Sequence, residues 1–258
     1  MDNGIYYLHI QKTGGTSFIS FLDSHFAPES ICPAQLLPEL FQSPPEDMSH
    51  FSLYRGHLWY GLNSYLHRNL NCITLLRDPV QRTVSYYSHV KRDENSYRHR
   101  EVVDGNWSIL DFVRDQQTNW DTTNSQTLFL TVDLDYSKLA ADPVGYGQAV
   151  VKRYAARRED RALLDLAKKR LEQFMFVGIT ERMQESIELF SWQMGWDPGT
   201  PAPSLNISSN RPSEDELTLE AREAIMAINP LDQELYAWAR QRFEEQFVHV
   251  MKARAKAS

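Results

Sequence analysis

The sequence predicts an α/β fold of three layers, in which helices flank a central, mainly parallel β-sheet. Three observations predict it. Short apolar strand-like segments alternate with amphipathic helical segments, a glycine loop links the first strand to the first helix, and no Gly/Ser/Pro-rich linker divides the chain. With 258 residues, of which 42% are hydrophobic, the chain can bury one sizeable core. We therefore expect one domain over residues 1–258.

Four segments have strand character because they are short, apolar and rich in aromatic or β-branched residues. They are residues 5–10, 51–54, 72–76 and 174–177. Apolar residues at helical spacing follow the first, third and fourth of these segments, at 18–22, 79–90 and 181–194. A final amphipathic helix is predicted over 232–252. Strands that alternate with helices favour a parallel sheet covered on both faces.

The start of the helix after the third strand is clear from its residues. Asp78 is a good N-cap, Pro79 suits the first helical position, and Gln81 stands three residues after the cap. By contrast, the stretch 91–161 is polar, aromatic-rich and irregular. We predict it to be an insertion of helices and loops that lies over the core as a lid for the acceptor.

Charge, cysteine usage and hydropathy limit the classes of function. The net charge of −7 argues against a general nucleic-acid or anionic-membrane surface. Cys32 and Cys72 form no CxxC motif, so a reducing cytoplasm is predicted. No apolar run approaches the roughly 20 residues that a membrane span needs. The first strand begins near residue 5, which leaves no room for a signal peptide and fits either a free-standing protein or a domain of a larger one.

The first chemical motif is the glycine loop that follows the first strand. Its residues are Lys12, Thr13, Gly14, Gly15, Thr16 and Ser17. Backbone N–H groups of a glycine turn that opens a helix form a P-loop-like cradle for phosphate oxygens, and Lys12 adds a mobile positive charge. The nucleotide-kinase P-loop places its lysine after the glycines, whereas here the lysine precedes them. The alternative is a plain strand-to-helix turn.

A second anion site is indicated where the third strand ends. Arg77 precedes the capped helix, and Ser85 lies in the second turn of that helix. Because parallel strands end at the same edge of a sheet, both motifs are expected at the rim where such folds bind ligands. The Arg77 fork can grip a phosphate while Ser85 donates beside it. The alternative is a structural salt bridge and a surface hydroxyl. Two phosphate sites on one edge suit a nucleotide phosphorylated at both ends of its ribose.

These two motifs together resemble those of sulfotransferases that use 3'-phosphoadenosine-5'-phosphosulfate (PAPS). Residues 5–17 resemble the 5'-phosphosulfate loop, and residues 75–85 resemble the 3'-phosphate motif, in which serine follows arginine by eight residues. The closest resemblance is to the uronosyl 2-O-sulfotransferase branch, with its relatives in bacterial polyketide and olefin synthases. Weaker similarity extends through residues 55–57, 124–126, 177–182 and 229–236.

The resemblance implies a role for each matching residue. Lys12 would contact the leaving phosphate and the bridging oxygen, the backbone of residues 13–17 would hold the 5'-phosphate, and Arg77 and Ser85 would hold the 3'-phosphate. By position alone, a late polar loop would close over the nucleotide through Asn206, Ser208 and Arg211. PAPS is the implied donor and the 3',5'-bisphosphate (PAP) the product, and no metal is implied, because protein charges and amides suffice.

Sulfuryl transfer to an alcohol also needs a general base, and histidine is the natural choice. His57, just past the second strand, is the preferred candidate and resembles the base of the uronosyl branch; a structural histidine is the alternative. His89 and His9 are its competitors. Arg55 is a candidate for binding the acceptor or sulfuryl oxygens, against a structural ion pair, and Trp59 is a candidate for the acceptor slot, against core packing.

Three classes of function remain open from the sequence. The first is a PAPS-dependent sulfotransferase whose preferred acceptor is a hydroxyacyl chain on an acyl carrier protein, with a carbohydrate or small-molecule hydroxyl as the alternative. The second is an ATP-dependent small-molecule kinase, and the third is a catalytically silent nucleotide-binding module. The lysine-first loop argues against the kinase.

Overall fold

The computed structural model describes residues 3–96, 98–115, 122–142, 144–197 and 217–257. Within these ranges the four strands form one parallel sheet in the order β2-β1-β3-β4. The strands are β1 Ile5–Leu8, β2 Leu53–Gly56, β3 Asn71–Leu76 and β4 Phe176–Ile179. The predicted α/β fold with a central parallel sheet is therefore confirmed.

Helices surround this sheet. In the described parts of the chain they are α1 Gly15–Asp23, α2 Leu37–Leu40, α3 Pro45–Met48, α4 Leu62–Tyr65, α5 Pro79–Arg92, α6 His99–Asp104, α7 Ile109–Arg114, α8 Ser125–Thr131, α9 Tyr136–Ala141, α10 Gly145–Ala155, α11 Arg161–Glu172, α12 Met183–Met194, α13 Leu219–Ile228 and α14 Pro230–Ala257. Single 3₁₀ turns lie at Pro28–Ser30 and Thr180–Arg182.

The second and fourth strands begin two residues later than the sequence predicted. β2 takes its position from its neighbours, because the Cys32 N–H donates to the Leu53 carbonyl and β1 pairs in register with 53–56. Before β4, the Phe174 N–H donates to the Leu171 carbonyl, so residue 174 closes the turn after α11. Tertiary pairing, which local pattern does not encode, decides both boundaries.

Aromatic side chains fill the space between the sheet and the helices α1 and α12. Phe18 contacts Tyr7 edge-on at 5.0 Å between ring centroids and lies 5.9 Å from Phe190, which in turn lies 5.1 Å from Phe176. All four rings are buried. Such rings contribute large apolar areas to one contiguous core, and that core holds the ends of β1, β3 and β4 in place.

Helix α8 lies inside the stretch 91–161 and is buried at every residue. Its Phe129 and Leu130 belong to the main core, and the helix packs against α11 and α14. This part of the predicted lid insertion is thus a core element, because its polar N-terminus finds partners inside the protein, as described below. Among the described residues, none of the helices combines the length and apolar character that a membrane crossing requires.

Candidate active site

The glycine loop turns sharply through two left-handed residues at the end of β1. Lys12 has a φ of 68° and Gly14 a φ of 80°. The buried Thr13 between them is held on both sides: its hydroxyl donates to the Ile10 carbonyl at 2.8 Å, and its carbonyl accepts from the Thr180 hydroxyl at 2.7 Å. A side-chain-bearing residue in the left-handed region is strained, and such strain is concentrated at functional sites.

The N-terminus of α1 is suited to an anion. Gly14 is its N-cap and offers no side-chain cap, and the first turn carries no acidic residue. The first N–H groups of a helix have no intrahelical acceptor and carry partial positive charge. Thr16 and Ser17 lie in this first turn. By contrast, Asp78 caps α5 by accepting from the Gln81 N–H at 2.9 Å, as the sequence predicted.

Glycine is required at position 15 because another side chain lies against it. A Cβ at Gly15 would stand 1.8 Å from Nε2 of His9. A Cβ at Gly14 would stand 2.6 Å from Cε of Met183, at a φ that disfavours side chains. At positions 14 and 15 the loop therefore presents only backbone atoms to a ligand.

The two predicted anion-binding turns meet in the structure. Arg77 follows β3, the sheet neighbour of β1, and its Nη1 donates to the Lys12 carbonyl at 3.1 Å. Ser85 is buried in the second turn of α5. The chain turns away from β1 on opposite sides to form β2 and β3, so this edge is the point at which α/β sheets bind ligands.

A buried polar network, which the sequence analysis did not recognise as such, holds Arg77. The Gln126 side chain accepts from the Arg77 N–H and donates to the Arg77 carbonyl, both at 2.8 Å. Asp232 in turn accepts from the N–H groups of Gln126 at 3.0 Å and Thr127 at 2.8 Å. Asn124 reciprocates by accepting from the Leu231 N–H at 2.9 Å.

Two weakly matching sequence segments, 124–126 and 229–236, thus cap each other's helices. In the sequence, the only indication of this mutual capping was that both segments contain polar residues of the kind that cap helices. Glu181, from the segment 177–182, adds another contact: it accepts from the Asp78 N–H at 3.1 Å and lies 3.7 Å from the Arg77 guanidinium. Three of the four segments that resembled the family only weakly, 124–126, 177–182 and 229–236, therefore support the edge of the site.

His57 is oriented by a backbone carbonyl. Its Nδ1 lies 2.7 Å from the His9 carbonyl oxygen, and its N–H donates to the Gln35 carbonyl at 2.8 Å. Because a carbonyl only accepts, Nδ1 must carry the proton, which leaves Nε2 as the basic nitrogen. Burial lowers the pKa of His57; the His9 hydrogen bond raises it, and the charges of Lys12 and His89 lower it again.

His9 and His89, the competing base candidates, both experience the charge of Lys12. The His9 ring stacks on His57 with centroids 4.3 Å apart. Burial lowers the pKa of His9 well below its usual range, with His57 and Lys12 as smaller causes. Burial also lowers the pKa of His89, with Lys12 contributing and Asp93 opposing. The pKa values of three histidines are thus lowered, and the charge of Lys12 contributes to each of these shifts.

Two residues assigned to the acceptor have structural partners. Arg55 makes a two-pronged ion pair with Asp23, at 2.6 and 3.0 Å, and donates to the Cys32 carbonyl at 3.0 Å. This geometry favours the structural ion pair over acceptor binding. Trp59 lies near His57 but stacks on Phe129, with centroids 4.1 Å apart and planes within 6°, which favours packing. Asn206, Ser208 and Arg211 lie outside the described residues.

The residues of this edge fit PAPS. The glycine cradle that a Cβ would fill, the helix start without its own cap, and the cations Lys12 and Arg77 form a donor set for two phosphate-like groups. In the described ranges no three His, Cys, Asp or Glu side chains converge in a way that could hold a metal ion.

Comparison with known proteins agrees with this geometry. The model of the sulfotransferase family matches residues 1–239. Heparan-sulfate 6-O-sulfotransferase 2 of Gallus gallus is 25% identical over 289 aligned residues, covering 96% of this chain and 69% of the relative. The 1-B enzyme of Danio rerio is 26% identical over 287, covering 98% and 69%, and human enzyme 2 is 25% identical over 286, covering 95% and 45%.

These relatives are named as 6-O-sulfotransferases, whereas the motifs resembled the uronosyl 2-O branch, so they support the family without assigning a branch. They do not connect the chain to polyketide synthases. The family match and the sulfotransferase relatives favour a sulfotransferase over the kinase and the silent nucleotide-binding module. The family match covers most of the chain, and the two turns predicted to bind anions lie on one sheet edge; the chain belongs to the sulfotransferase family and is a PAPS-dependent sulfotransferase.

Proposed function

We propose that this enzyme transfers the sulfuryl group of PAPS to a hydroxyl of a carbohydrate, with His57 as the general base. The observation that carries the proposal is the orientation of His57: the His9 carbonyl fixes the proton on Nδ1, so Nε2 is ready to accept the proton of an attacking hydroxyl. The relatives named for heparan sulfate support a sugar acceptor.

The donor side relies on the two turns. When bound, PAPS supplies an activated sulfuryl group and departs as PAP. The N–H groups of α1 and the Lys12 ammonium would hold the 5' end and stabilise the negative charge that grows on the leaving phosphate. Arg77, with its backbone clamped by Gln126, and Ser85 would hold the 3'-phosphate.

The base works in a setting that keeps it neutral. Burial, Lys12 and His89 lower the pKa of His57, so its Nε2 lone pair is available at neutral pH. A bound nucleotide, which is anionic at both its 3' and 5' ends, would compensate part of the lysine charge and so raise the pKa of His57 when substrate is present. The electrostatic effect of Lys12 on His57 supports a site in which proton removal and leaving-group stabilisation occur close together.

The acceptor is the open element of this proposal. A hydroxyacyl chain on an acyl carrier protein was preferred from the sequence, but neither the described residues nor the relatives support it. The carbohydrate alternative has the support of the relatives' names. Analysis of the sulfated product identifies which hydroxyl is the acceptor, a primary 6-hydroxyl or a ring 2-hydroxyl.

The test is transfer of labelled sulfate from PAPS to a panel of acceptors. The panel contains an oligosaccharide of alternating glucosamine and uronic acid, a neutral oligosaccharide, a phenol and a hydroxyacyl carrier protein. We expect label on an oligosaccharide and its position from mass spectrometry. Label on the carrier protein alone would contradict the carbohydrate proposal.

Variants test the assigned residues in the same assay. Lys12→Ala and His57→Ala should lower kcat by at least about a hundredfold, in line with the effect of general acid–base groups. His99→Ala is the matched control, because His99 Nδ1 contacts the Val90 carbonyl of helix α5 at 2.9 Å and His99 has no assigned role in the site. Full activity of His57→Ala would remove that residue as base.

A further inference from the structure

The residues that follow His57 are held by two buried tyrosine hydroxyls. Tyr136 donates to the carbonyl of Leu58, and Tyr6 donates to the carbonyl of Trp59 at 2.7 Å. Tyr6 comes from β1, and Tyr136 is the first residue of α9, far away in the chain. Two different elements thus hold consecutive carbonyls directly after the proposed base.

This clamp acts on a strained turn. Trp59 has a φ of 62°, which a residue with a Cβ adopts only where its surroundings impose it. Its ring is fixed at the same time by the stack on Phe129. Without the two hydroxyls, the carbonyls of Leu58 and Trp59 would lose these partners, and the turn would relax towards an unstrained conformation.

The hydroxyls are permanent donors. Tyr6 is fully buried and Tyr136 nearly so. Burial raises the pKa of Tyr6 well above its usual value, with Tyr136 as a further cause, and burial also raises the pKa of Tyr136. Both remain protonated over the whole range in which the enzyme can work.

We propose that Tyr6 and Tyr136 are positioning residues that orient His57 by holding the two carbonyls that follow it. The proposal rests on His57 being the base. The His57 ring bonds to the His9 carbonyl and stacks on the His9 ring, and the backbone of His57 pairs with the chain at residues 35 and 36. The two tyrosines hold the chain that follows, so that the ring keeps this position when a substrate binds. A shift of about 1 Å at a reacting group lowers the rate by about a hundredfold.

The first test reads the tautomer of His57 directly. In the enzyme labelled with ¹⁵N-histidine, NMR should show His57 with its proton on Nδ1, as the His9 carbonyl requires. Tyr6→Phe and Tyr136→Phe, which remove only the hydroxyls, should populate the Nε2–H tautomer that free imidazole side chains prefer. An unchanged tautomer in both variants would overturn the proposal.

The matched control is Tyr54→Phe. Tyr54 is also a buried tyrosine of the sheet whose hydroxyl donates to a carbonyl, that of Met48, at 2.6 Å. The Tyr54→Phe variant should have a lower thermal unfolding midpoint, as the other two variants do, but an unchanged His57 tautomer and an unchanged kcat. A similar loss of kcat in Tyr54→Phe would show that the effect is one of general stability, against the proposal.

The second test is kinetic, with PAPS and the glucosamine–uronate oligosaccharide. Tyr6→Phe and Tyr136→Phe should lower kcat about tenfold or more, with the dissociation constant of PAP within about twofold of wild type. In a His57→Ala background, Tyr136→Phe should cause no further loss. If Tyr136→Phe lowers kcat equally in the His57→Ala background, the clamp proposal alone is overturned. The same holds if both single tyrosine variants keep the wild-type kcat while His57→Ala is inactive. Full activity of His57→Ala overturns the base and the clamp together.

Discussion

Arg77 donates through Nη1 to the main-chain oxygen of Lys12 at 3.1 Å, although 65 positions separate them in the chain. The contact joins the glycine loop after β1 to the arginine after β3. A nucleotide with phosphates at the 5' and 3' positions needs both turns at one edge. The contact brings the two turns that are predicted to bind phosphate to one edge of the sheet.

Replacing Arg77 should weaken nucleotide binding selectively. Arg77→Ala loses charge-assisted hydrogen bonds that contribute about 1.5–3 kcal/mol each, so the dissociation constant of PAP should rise about tenfold to a hundredfold. The dissociation constant of PAP in Arg77→Lys should lie between those of wild type and Arg77→Ala, because lysine keeps the charge but lacks the planar fork. Isothermal titration calorimetry with PAP measures both.

Arg114→Ala is the control for the arginine variants. Arg114 is exposed and pairs with Glu220 at 2.7 Å, a surface ion pair away from the glycine loop. PAP affinity should stay as in wild type in this variant. An Arg77→Ala enzyme that binds PAP equally well would place the 3'-phosphate elsewhere.

A methyl group at position 15 should close the phosphate cradle. In Gly15→Ala the Cβ would overlap the His9 ring, so α1 or His9 must move; PAP affinity should fall at least tenfold, which corresponds to about 1.4 kcal/mol. The double variant His9→Ala/Gly15→Ala removes the clash and should recover PAP binding. Calorimetry distinguishes the two variants.

Gly147→Ala serves as the control for the added methyl group. Its Cβ would meet only the end of the Leu139 side chain, at 3.0 Å, in helix α10. PAP affinity should not change there. If the double variant remains as weak as Gly15→Ala, contact with His9 is not the reason that position 15 needs glycine.

Removing the carboxylate of Asp232 should destabilise the whole domain. Asp232→Ala leaves the buried N–H groups of Gln126 and Thr127 without their acceptor, at about 1–3 kcal/mol each. Urea unfolding should show a loss of several kcal/mol, and PAP should bind more weakly because Gln126 holds Arg77.

Asp135→Ala provides the comparison for a helix cap at the surface. Asp135 accepts from the N–H groups of Ser137 and Lys138 at the exposed start of α9. Its loss should cost about 1 kcal/mol and leave PAP affinity unchanged. Equal destabilisation by the two aspartate variants would contradict the role given to the buried network.

The imidazole of His57 should titrate below the usual histidine range. Burial lowers its pKa, and Lys12 and His89 add to this against the His9 hydrogen bond, so NMR titration of the free enzyme should give a midpoint below about 6.5. His89→Gln removes a neighbouring imidazole that takes up a positive charge in acid, and should therefore move the midpoint of His57 upward. His99→Gln should leave it in place. A midpoint above 6.5 would contradict this description of the site.

The same lowered pKa values predict acid-sensitive folding. His9 and His57 have pKa values below those of the unfolded chain, so the unfolded state binds their protons first as the pH falls. Their contribution to stability is complete above about pH 6.5 and is lost as the pH falls below it. Urea midpoints between pH 7.5 and 5.5 measure this.

A histidine variant tests the source of that pH dependence. His57→Asn should have a shallower fall in stability than wild type, because one of the groups that takes up a proton on unfolding is gone. His50→Gln, at an exposed position, is the control. An identical slope in His57→Asn and wild type would assign the effect to other groups.

Local chemistry made part of the site predictable. The strand, glycine loop and helix from Ile5 onward, and the helix capped by Asp78, were read correctly because each depends on neighbouring residues. Helix α8 was not, since its start, Ser125-Gln126-Thr127, reads as polar loop. Asp232, 105 positions from Thr127, supplies the acceptor that lets this polar segment be buried.

Sequence alone therefore determined the two turns that are predicted to bind anions, the parallel α/β scaffold and the histidine after the second strand, because turns, caps and periodicity act over a few residues. Tertiary structure decided which partners each polar side chain contacts, and hence which role is open to it. On β2 and just beyond it, Arg55 is directed to Asp23, while His57 is held by His9 and by a turn that Tyr6 and Tyr136 clamp. Those partners come from distant parts of the chain, and only packing brings them together.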